Sequence, residues 1–346
     1  MMDTFAGKKT GRIPVCPHWY GAYKYKIGGL AETYEGVEEI CLYGDQLAEL
    51  DELFYRTFIP DWMHLSTSHT DHFPARFSSP ENARILKALR SFQSTGDIED
   101  YIAFTNLTKE EIRATGLYEH VPRIVQRYGD ETYIIINEGN PICGVLDPHG
   151  PFGFETGLQA LLVFPDYMEY LIWRMYEQRL DRMRFLAETG VHGYLGSETY
   201  CGADLISPAM YRSVIFPAQK MFYHELSRTG IEPLIYFLGD ILPLLDDINN
   251  LEITALLIEE SKKTFHLDPL EIRRRLDPSI TLFGNIDSLD ILQNGTVDDV
   301  RRETIHQMEA AKYGPFVVAN GSPLTIETPP ENLIAMIETG HTARDS

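Results

Sequence analysis

The sequence predicts an α/β protein that folds as a single (β/α)8 TIM barrel over residues 1–346, with an insertion after the second strand. Eight short apolar runs are spread along the chain, and most of them precede a segment with helical signals. The runs are 13–17, 61–65, 133–137, 192–196, 233–237, 254–258, 280–284 and 316–319. Because strands that alternate with helices favour a parallel sheet, eight such units imply a barrel.

Helix starts are clearest in the second half of the chain. Four residues with N-cap side chains precede a proline or an acid in the first turn: Ser207, Asp268, Thr296 and Thr328. Such a side chain accepts a hydrogen bond from a free backbone amide of that turn, so the pattern marks where a helix begins. Residues 165–190 repeat apolar side chains at helical spacing, which predicts a long amphipathic helix of the outer layer.

Residues 70–129 follow a less regular pattern, with Thr108 opening an acidic helix. The chain of 346 residues is longer than the roughly 250 residues typical of one α/β barrel. A single domain with an insertion explains the extra length. We expect 70–129 to be that insertion and a candidate lid over the barrel mouth.

Composition argues against several classes of partner. The formal net charge is -21, and a negative surface repels phosphate backbones and anionic lipid. No apolar stretch approaches the length that spans a bilayer, and the first twelve residues have no apolar core of a signal peptide. We therefore expect a cytoplasmic protein that binds neither nucleic acid nor membrane.

The four cysteines, Cys16, Cys41, Cys143 and Cys201, are scattered and form no C-x-x-C pair. A protein of this size does not need disulfides to stay folded, and cytosolic thiols are kept reduced. We expect four reduced thiols.

The candidate site lies where the predicted strands end, because α/β barrels keep their active sites at the carboxyl ends of their strands. Polar and aromatic residues follow the strands there: His18, Trp19, Tyr20, His64, Asn137, Glu138, Glu198, Tyr200, Tyr236, Asp240, Glu259, Glu260, Asn285, Asp287, Asn320 and Ser322. A buried carboxylate needs a partner, a metal or a raised pKa, so acids at this depth are candidates for acid–base chemistry.

Each of these residues also has a purely structural interpretation. Glu198 sits in a turn and could instead cap the next helix. Glu259 and Glu260 are adjacent, so one can face the barrel interior and the other is expected to be solvated or salt-bridged. Asn285 could hold its own turn through side-chain to backbone hydrogen bonds. A lone histidine such as His18 is more often a hydrogen-bonding residue than a catalyst.

Aromatic residues are frequent at the predicted mouth, and offset stacking against such walls suits a flat ligand. The candidates are Trp19, Tyr20, Tyr23, Tyr25, Trp62, Tyr200, Tyr236 and Phe237. Some of them are expected to be core residues.

Three segments carry a resemblance to a known family: Leu205-Ile206-Ser207-Pro208, Gly284-Asn285-Ile286-Asp287 and Thr328-Pro329-Pro330-Glu331-Asn332. With them the chain resembles uroporphyrinogen decarboxylase and the corrinoid-linked methyltransferases that share its fold. The resemblance covers most of the chain from the fourth strand onward and implies a barrel enzyme. Toward the N-terminus it is limited to Pro14-Val15 and the loop that follows.

The decarboxylase branch of that family binds tetrapyrrole carboxylates with two arginines in the loop after Pro14-Val15. Here the corresponding positions are Trp19 and Tyr23. A substrate with eight carboxylates needs fixed guanidinium groups. The family's Leu-Gly-His-Gly pattern near the last strand is also replaced, by Asn320-Gly321-Ser322-Pro323. These departures from the family pattern argue against porphyrinogen decarboxylation.

The thiol methyltransferase branch holds zinc through His-x-Cys on strand five and a Cys near strand eight. The corresponding residues here are Tyr236, Leu238 and Ser322, which are not good zinc ligands. We expect no zinc at these positions. A carboxylate-rich metal site that uses Glu198, Asp240 or Glu260 stays open as an alternative.

The resemblance then implies methyl transfer between a small non-thiol substrate and the corrinoid of a separate corrinoid-binding protein. An aryl methyl ether, a methylated amine or a tetrahydrofolate would serve as the methyl donor or acceptor. Two alternatives stay open: a carboxy-lyase for a smaller acid, which needs a buried Arg or Lys, and a ligand-binding barrel without catalysis.

Roles follow from position and chemistry. We expect Glu198 to be the catalytic acid, because desolvation can raise the pKa of a carboxyl group at a barrel mouth. Asp240 and His18 are the other expected catalytic residues, and together with Asn285 they are expected to orient the substrate. The expected substrate-binding residues are Trp19, Tyr20, Asn137, Tyr200, Tyr236, Glu260, Asn285, Asn320 and Ser322.

Overall fold

The computed structural model describes residues 1–8, 11–19, 21–38, 40–148 and 150–342. Seven parallel strands form one sheet in chain order. They are β1 (Trp62–Leu65), β2 (Tyr133–Gly139), β3 (Gly193–Glu198), β4 (Glu232–Phe237), β5 (Ala255–Ile258), β6 (Thr281–Phe283) and β7 (Phe316–Val317). Each coincides with one of the predicted runs, so the α/β class and the parallel sheet are confirmed.

The α-helices of the described residues are α1 (Met2–Phe5), α2 (Gly21–Ile27), α3 (Tyr34–Glu38), α4 (Gly44–Phe58), α5 (Pro80–Leu89), α6 (Thr95–Thr105), α7 (Lys109–Thr115), α8 (Val121–Tyr128), α9 (Pro141–Leu146), α10 (Phe154–Val163), α11 (Pro165–Ala187), α12 (Pro208–Met210), α13 (Phe216–Ser227), α14 (Leu245–Ile248), α15 (Pro269–Arg275), α16 (Val297–Met308) and α17 (Pro330–Thr342). Short 3-10 helices span Ala75–Ser78, Leu242–Leu244 and Glu309–Tyr313, and π-helical turns span Tyr211–Ile215 and Ser288–Gln293. The predicted long helix is α11. It ends three residues earlier than expected.

Predicted helix caps are present at three of four positions. The side chains of Ser207, Asp268 and Thr296 accept hydrogen bonds from first-turn amides of α12, α15 and α16. At the fourth position, the Thr328 hydroxyl instead lies 2.9 Å from the Thr325 hydroxyl.

The first predicted run, 13–17, is not a strand, which corrects the expected count of eight. Val15 makes one parallel bridge to Val318, and the Val15 carbonyl accepts a hydrogen bond of 2.9 Å from the Asp61 amide next to β1. Pro14 and Pro17 flank this bridge, and proline has no amide hydrogen to donate to a ladder. The segment therefore lies between β7 and β1 without forming a regular strand.

The sheet is curled, because rings on strands far apart in its order meet. Trp62 of β1 and Phe283 of β6 have ring centroids 5.4 Å apart. Phe5 of α1 lies 5.2 Å from the Tyr133 ring of β2 and 6.4 Å from Phe283, near the start of the strands. These rings identify the inner face of the sheet, and alternation along each strand assigns the outer face.

Residues 66–132, which contain the expected insertion 70–129, connect β1 to β2 and carry four α-helices and one 3-10 helix. Gln178 of α11 donates to the Ile102 carbonyl of α6, and Lys109 of α7 pairs with Glu188 at the end of α11. Tyr167 of α11 donates to the Leu89 carbonyl of α5. These contacts attach the segment to the outer helix layer, and its role as a lid stays a prediction.

The Asp61 carboxylate joins both ends of the chain to the start of β1. It accepts hydrogen bonds from the Val15 amide (2.8 Å), the Arg12 guanidinium (2.8 Å) and the His341 imidazole of α17 (2.9 Å). Burial raises the pKa of Asp61, but these hydrogen bonds outweigh burial and hold the pKa at about 2. The ionised form is therefore strongly favoured in the folded protein.

We expect Asp61→Asn to lower the free energy of unfolding by about 2 kcal/mol at pH 7. A carboxyl group whose pKa is lowered in the folded state stabilises the protein at pH values above its unfolded-state pKa. That stability disappears as the pH falls from about 4 to about 2. The variant should therefore show a flatter acid limb than the wild type in urea unfolding measured from pH 7 to pH 3. Asp3→Asn, which removes an exposed pair with Lys8, is the matched control and should change stability by less than about 0.5 kcal/mol. An equal effect of both variants would contradict the assignment.

Candidate functional site

A buried cluster lies where the inner face of the sheet ends. His18, His64 and Tyr236 are each at most 1% exposed. The His18 ring packs edge-on against Tyr236 with centroids 4.3 Å apart and lies 5.4 Å from the His64 ring. His64 and Tyr236 end β1 and β4 on the same face as Trp62, so alternation along the strands brings these three rings together.

Asn320 fixes the chain at His18. Its side-chain oxygen accepts from the His18 amide (2.8 Å), and its side-chain nitrogen donates to the His18 carbonyl (2.7 Å) and to the Ser322 carbonyl (2.7 Å). The His18 Nδ1 atom lies 3.3 Å from the Gly321 carbonyl. Because a carbonyl only accepts, Nδ1 carries the proton in this arrangement, and Nε2 carries the lone pair.

Glu260, Lys262 and Ser322 form the more exposed edge of this cluster. Ser322 donates through its hydroxyl to Glu260 at 2.7 Å, and its amide donates to the same carboxylate. The Lys262 ammonium pairs with Glu260 and, at 3.1 Å, with Glu259. Glu259 also accepts from the Gly239 amide at 2.9 Å. Both acids thus pair with Lys262, and Glu260 is the one that also bonds to Ser322.

Burial keeps the histidines neutral. Desolvation lowers the pKa of His18 to about 4, although its hydrogen bond to Gly321 opposes the change. Desolvation, with the positive charges of His18 and Lys24 as smaller causes, lowers the pKa of His64 well below its usual value. At neutral pH both rings are therefore uncharged and able to accept a proton or a hydrogen bond.

A buried ion pair lies behind His64. Lys24 and Asp51 have side chains only 2% exposed and form a salt bridge, and the Lys24 ammonium also donates to the His64 carbonyl at 2.7 Å. Lys24 fixes the backbone at the end of β1 while Asp51 neutralises its charge. A buried pair of this kind constrains geometry more than it adds net stability.

Glu198 lies elsewhere. It is fully buried, and its carboxylate accepts hydrogen bonds from Tyr176 of α11 (3.0 Å), Tyr223 of α13 (2.8 Å) and the Asn140 side chain. The preceding Ser197 faces inward and bonds to Asn137, so alternation turns Glu198 to the outer face. Desolvation raises the pKa of Glu198, opposed by its hydrogen bonds. Its position differs from the mouth location that we expected, and its catalytic role stays a prediction.

The structure places two further predicted residues, Asp240 and Tyr200, outside the His18 cluster and packs Trp19 against the His64 ring, with centroids 5.7 Å apart. The Asp240 carboxylate accepts from the Leu242 amide at 3.1 Å, and its own amide donates to Asp204. Trp19 is 2% exposed and packs 4.2 Å from Phe54, so it belongs to the core. Tyr200 has a left-handed backbone (φ 70°) and lies 5.3 Å from the Phe154 ring.

Asn137 lies on the inner face and donates to the Leu195 carbonyl and to Ser197, both at 3.2 Å. Asn285 donates to the carbonyls of Glu259 (3.1 Å) and Leu267 (3.0 Å), which supports the turn-holding interpretation. Tyr20 lies outside the described residues.

Sequence reasoning did not select Lys24 or Lys262 as site residues. Lys262 lies two residues after Glu260, so a strand end with two acids and a nearby lysine was the available signal. Lys24 gave no comparable signal, because its partner Asp51 belongs to a different helix. Among the described residues, no group of three or more His, Cys, Asp or Glu side chains is arranged to hold a metal ion.

The profile of the family described as uroporphyrinogen decarboxylase matches residues 1–343. The chain belongs to the uroporphyrinogen decarboxylase family. No curated protein matches the sequence significantly. A solved methyltransferase from Methanosarcina mazei has a similar fold, with a TM-score of 0.75, 15% identity, and coverage of 98% of this chain and 96% of that chain.

A vitamin B12-independent methionine synthase from a Shewanella species is a weaker match, with a TM-score of 0.43, 11% identity and coverage of 64% of each chain. The helices of the described part of the chain include none long and apolar enough to cross a membrane.

We expect Glu198→Gln to change the pH dependence of stability. A group whose pKa is raised in the folded state stabilises the protein at pH values below its unfolded-state pKa. That stability is lost as the pH rises through the folded-state pKa. The variant stays neutral, so its stability relative to the wild type should increase between pH 5 and pH 8, by about 1.4 kcal/mol for each unit by which the folded pKa is raised. Urea unfolding at several pH values measures the difference.

Glu188→Gln, at the exposed end of α11, is the matched control and should follow the wild-type profile. Parallel profiles for Glu198→Gln and the wild type would contradict the assignment. A loss of turnover in Glu198→Gln without any change in stability would instead support the catalytic role expected from the sequence.

Proposed function

We propose that this protein is a methyltransferase that moves a methyl group between a small non-thiol substrate and the corrinoid of a separate corrinoid-binding protein. An aryl methyl ether, a methylated amine or a tetrahydrofolate is the proposed methyl donor or acceptor. The fold shared with the Methanosarcina mazei methyltransferase supports this proposal.

The observation that carries the proposal is the neutral character of the His18 cluster. His18 and His64 are uncharged at pH 7, and the adjacent lysines Lys24 and Lys262 are each paired with a carboxylate. A tetrapyrrole with many carboxylates requires unpaired cations. The cluster instead suits a substrate with little negative charge.

The proposal includes a barrel closed by eight segments, with 13–17 as the eighth and 70–129 as an insertion. The Val15 bridge to Val318 and the hydrogen bond from Asp61 support closure, because they link the two edge strands of the sheet. Closure removes the free edges that a parallel sheet would otherwise expose.

His18 and Tyr236 are the proposed catalytic residues at the reacting heteroatom. When an ether or amine gives up its methyl group, the bond from carbon to the heteroatom breaks, and the heteroatom takes up a proton. The Tyr236 hydroxyl can supply that proton, and His18 Nε2 can accept one in the reverse direction. Ser322 and Lys262, at the exposed edge, lie where a substrate would enter.

The corrinoid is a substrate delivered by the partner protein and supplies the atom that accepts or donates the methyl group. Zinc has no place in this proposal, because the three family positions do not fit it. Leu238 has no donor atom, the Ser322 hydroxyl is bonded to Glu260, and the Tyr236 ring packs against His18.

We expect the purified protein to convert cob(I)alamin to methylcobalamin, detected by its absorbance change, with at least one of methoxyaromatics, methylated amines or methyltetrahydrofolate. Tyr236→Phe and His18→Gln should each lower kcat by about two to four orders of magnitude. Tyr133→Phe is the matched control, because Tyr133 faces inward at the opposite end of the sheet, and it should keep wild-type turnover.

Release of carbon dioxide from a carboxylic acid without methyl transfer would replace this proposal with the carboxy-lyase alternative. Binding of a methyl donor without turnover would favour the ligand-binding alternative. Equal losses in Tyr133→Phe and Tyr236→Phe would show that the inner tyrosines act through folding.

A further inference from the structure

A cavity lies on the outer side of β2, away from the His18 cluster. Its volume is about 260 Å³, and it lies among the segment 105–112, the start of α9 and the face of α11. Polar side chains line it: Asn106, Asn140, Cys143, Gln178, Arg179 and Arg182. Glu138, which lies beside this cavity, alternates with the inward-facing Asn137, so β2 separates the two sites.

Two arginines of α11 give this cavity its chemistry. Arg179 and Arg182 each donate through Nη1 to the Glu138 carboxylate, at 2.8 and 3.2 Å. Within the described part of the chain, the Nε and Nη2 atoms of both side chains have no protein acceptor, and they are not enclosed from solvent. Two guanidinium groups thus present unused donors to one small cavity.

Two acids near the arginines, Glu138 and Asp181, already accept hydrogen bonds from other side chains. Glu138 is buried, with one oxygen accepting from Tyr118 and the other from both arginines. Asp181 also lines the cavity, but its carboxylate accepts from Arg184 at 2.7 Å. Asp147 also lines the cavity, and its negative charge opposes any bound anion.

We propose that this cavity binds a small oxyanion, a carboxylate or phosphate group carried by a compound of a few heavy atoms. Planar guanidinium groups match such oxygens geometrically and bind them with charge-assisted hydrogen bonds. The volume is below the range of about 300–1,000 Å³ common for drug-sized ligands, so the ligand is small. This inference is independent of the proposed methyl transfer.

Hydrogen bonds connect the cavity to the end of β3. Arg179 donates to the Tyr194 hydroxyl at 3.3 Å, and Tyr194 donates to the Asn140 side-chain oxygen at 2.8 Å. The Asn140 side-chain nitrogen donates to Glu198. An anion at Arg179 therefore binds one end of a continuous polar network that holds α11 and α13 against the sheet.

Cys143 provides a reporter within the lining, and the exposed Cys41 provides an internal reference. We expect inorganic phosphate or malonate to slow alkylation of Cys143 by neutral iodoacetamide relative to Cys41, measured by mass spectrometry of the two peptides. At an anion concentration ten times its Kd, the protection should be about tenfold. Sodium chloride at the same ionic strength should give no protection.

Arg182→Gln should abolish the protection, while Arg301→Gln, which removes an exposed pair with Asp298 on α16 and lies outside the cavity lining, should retain it. Asp147→Asn should strengthen it, because a repulsive carboxylate is removed. Thermal unfolding verifies that each variant is folded. Protection by phosphate alone or by malonate alone would identify the source of the oxyanion.

Equal protection by chloride, protection unchanged in Arg182→Gln, or no protection by either anion would overturn the proposal. If the protein shows no methyl transfer while the anions still protect Cys143, the proposed function is contradicted and the oxyanion site is not.

Discussion

The Asp61 carboxylate sets the position of the segment before His18, and the His18 cluster depends on that segment. Asp61 accepts from the Val15 amide and from His341, so one half-buried carboxylate holds a region near each end of the chain at the start of β1. Val15 also bridges to Val318 on the other side. With only two residues between Val15 and His18, the imidazole has little freedom, and Asn320 removes most of what remains. Geometry at the site is thus fixed by backbone pairing at the opposite end of the strands.

Alternation along the strands then decides which polar residues share a space. Asn137 and Ser197 face inward, while Glu138 and Glu198, one residue later, face the helices. The sequence could not reveal this alternation, because parallel strands buried on both faces read as continuous apolar runs without a period of two. A strand-end acid can therefore be located along the chain from sequence but not assigned to a face. For this reason the expectation for Glu198 and the structure differ, whereas Tyr236 and His18, both expected at the barrel mouth, lie with ring centroids 4.3 Å apart.

Local signals predicted most of the fold. Seven of the apolar runs are strands, and caps such as Thr296 mark real helix starts, because strand length and capping depend on neighbouring residues. Pairings between distant residues were not predictable in the same way. Lys24 and Asp51 belong to different helices, and Arg179 of α11 pairs with Glu138 of β2 across the outer face of the sheet. The residue types of Lys24, Asp51 and Arg179 gave no indication of a buried partner, since charged residues on amphipathic helices are usually solvated.

The two faces of the sheet handle buried polarity in different ways. On the inner face, burial lowers the pKa of His18 and His64 and keeps both rings neutral, which suits proton transfer with a substrate of low charge. On the outer face, the Glu138 carboxylate accepts hydrogen bonds from two arginines, and Glu198 is surrounded by neutral hydroxyl and amide donors. A buried network in which each side chain makes at least one hydrogen bond favours one packing arrangement, because a shift would break several of these bonds together. The outer network therefore holds α11 and α13 in register with β3, and it leaves the inner face free to carry chemistry.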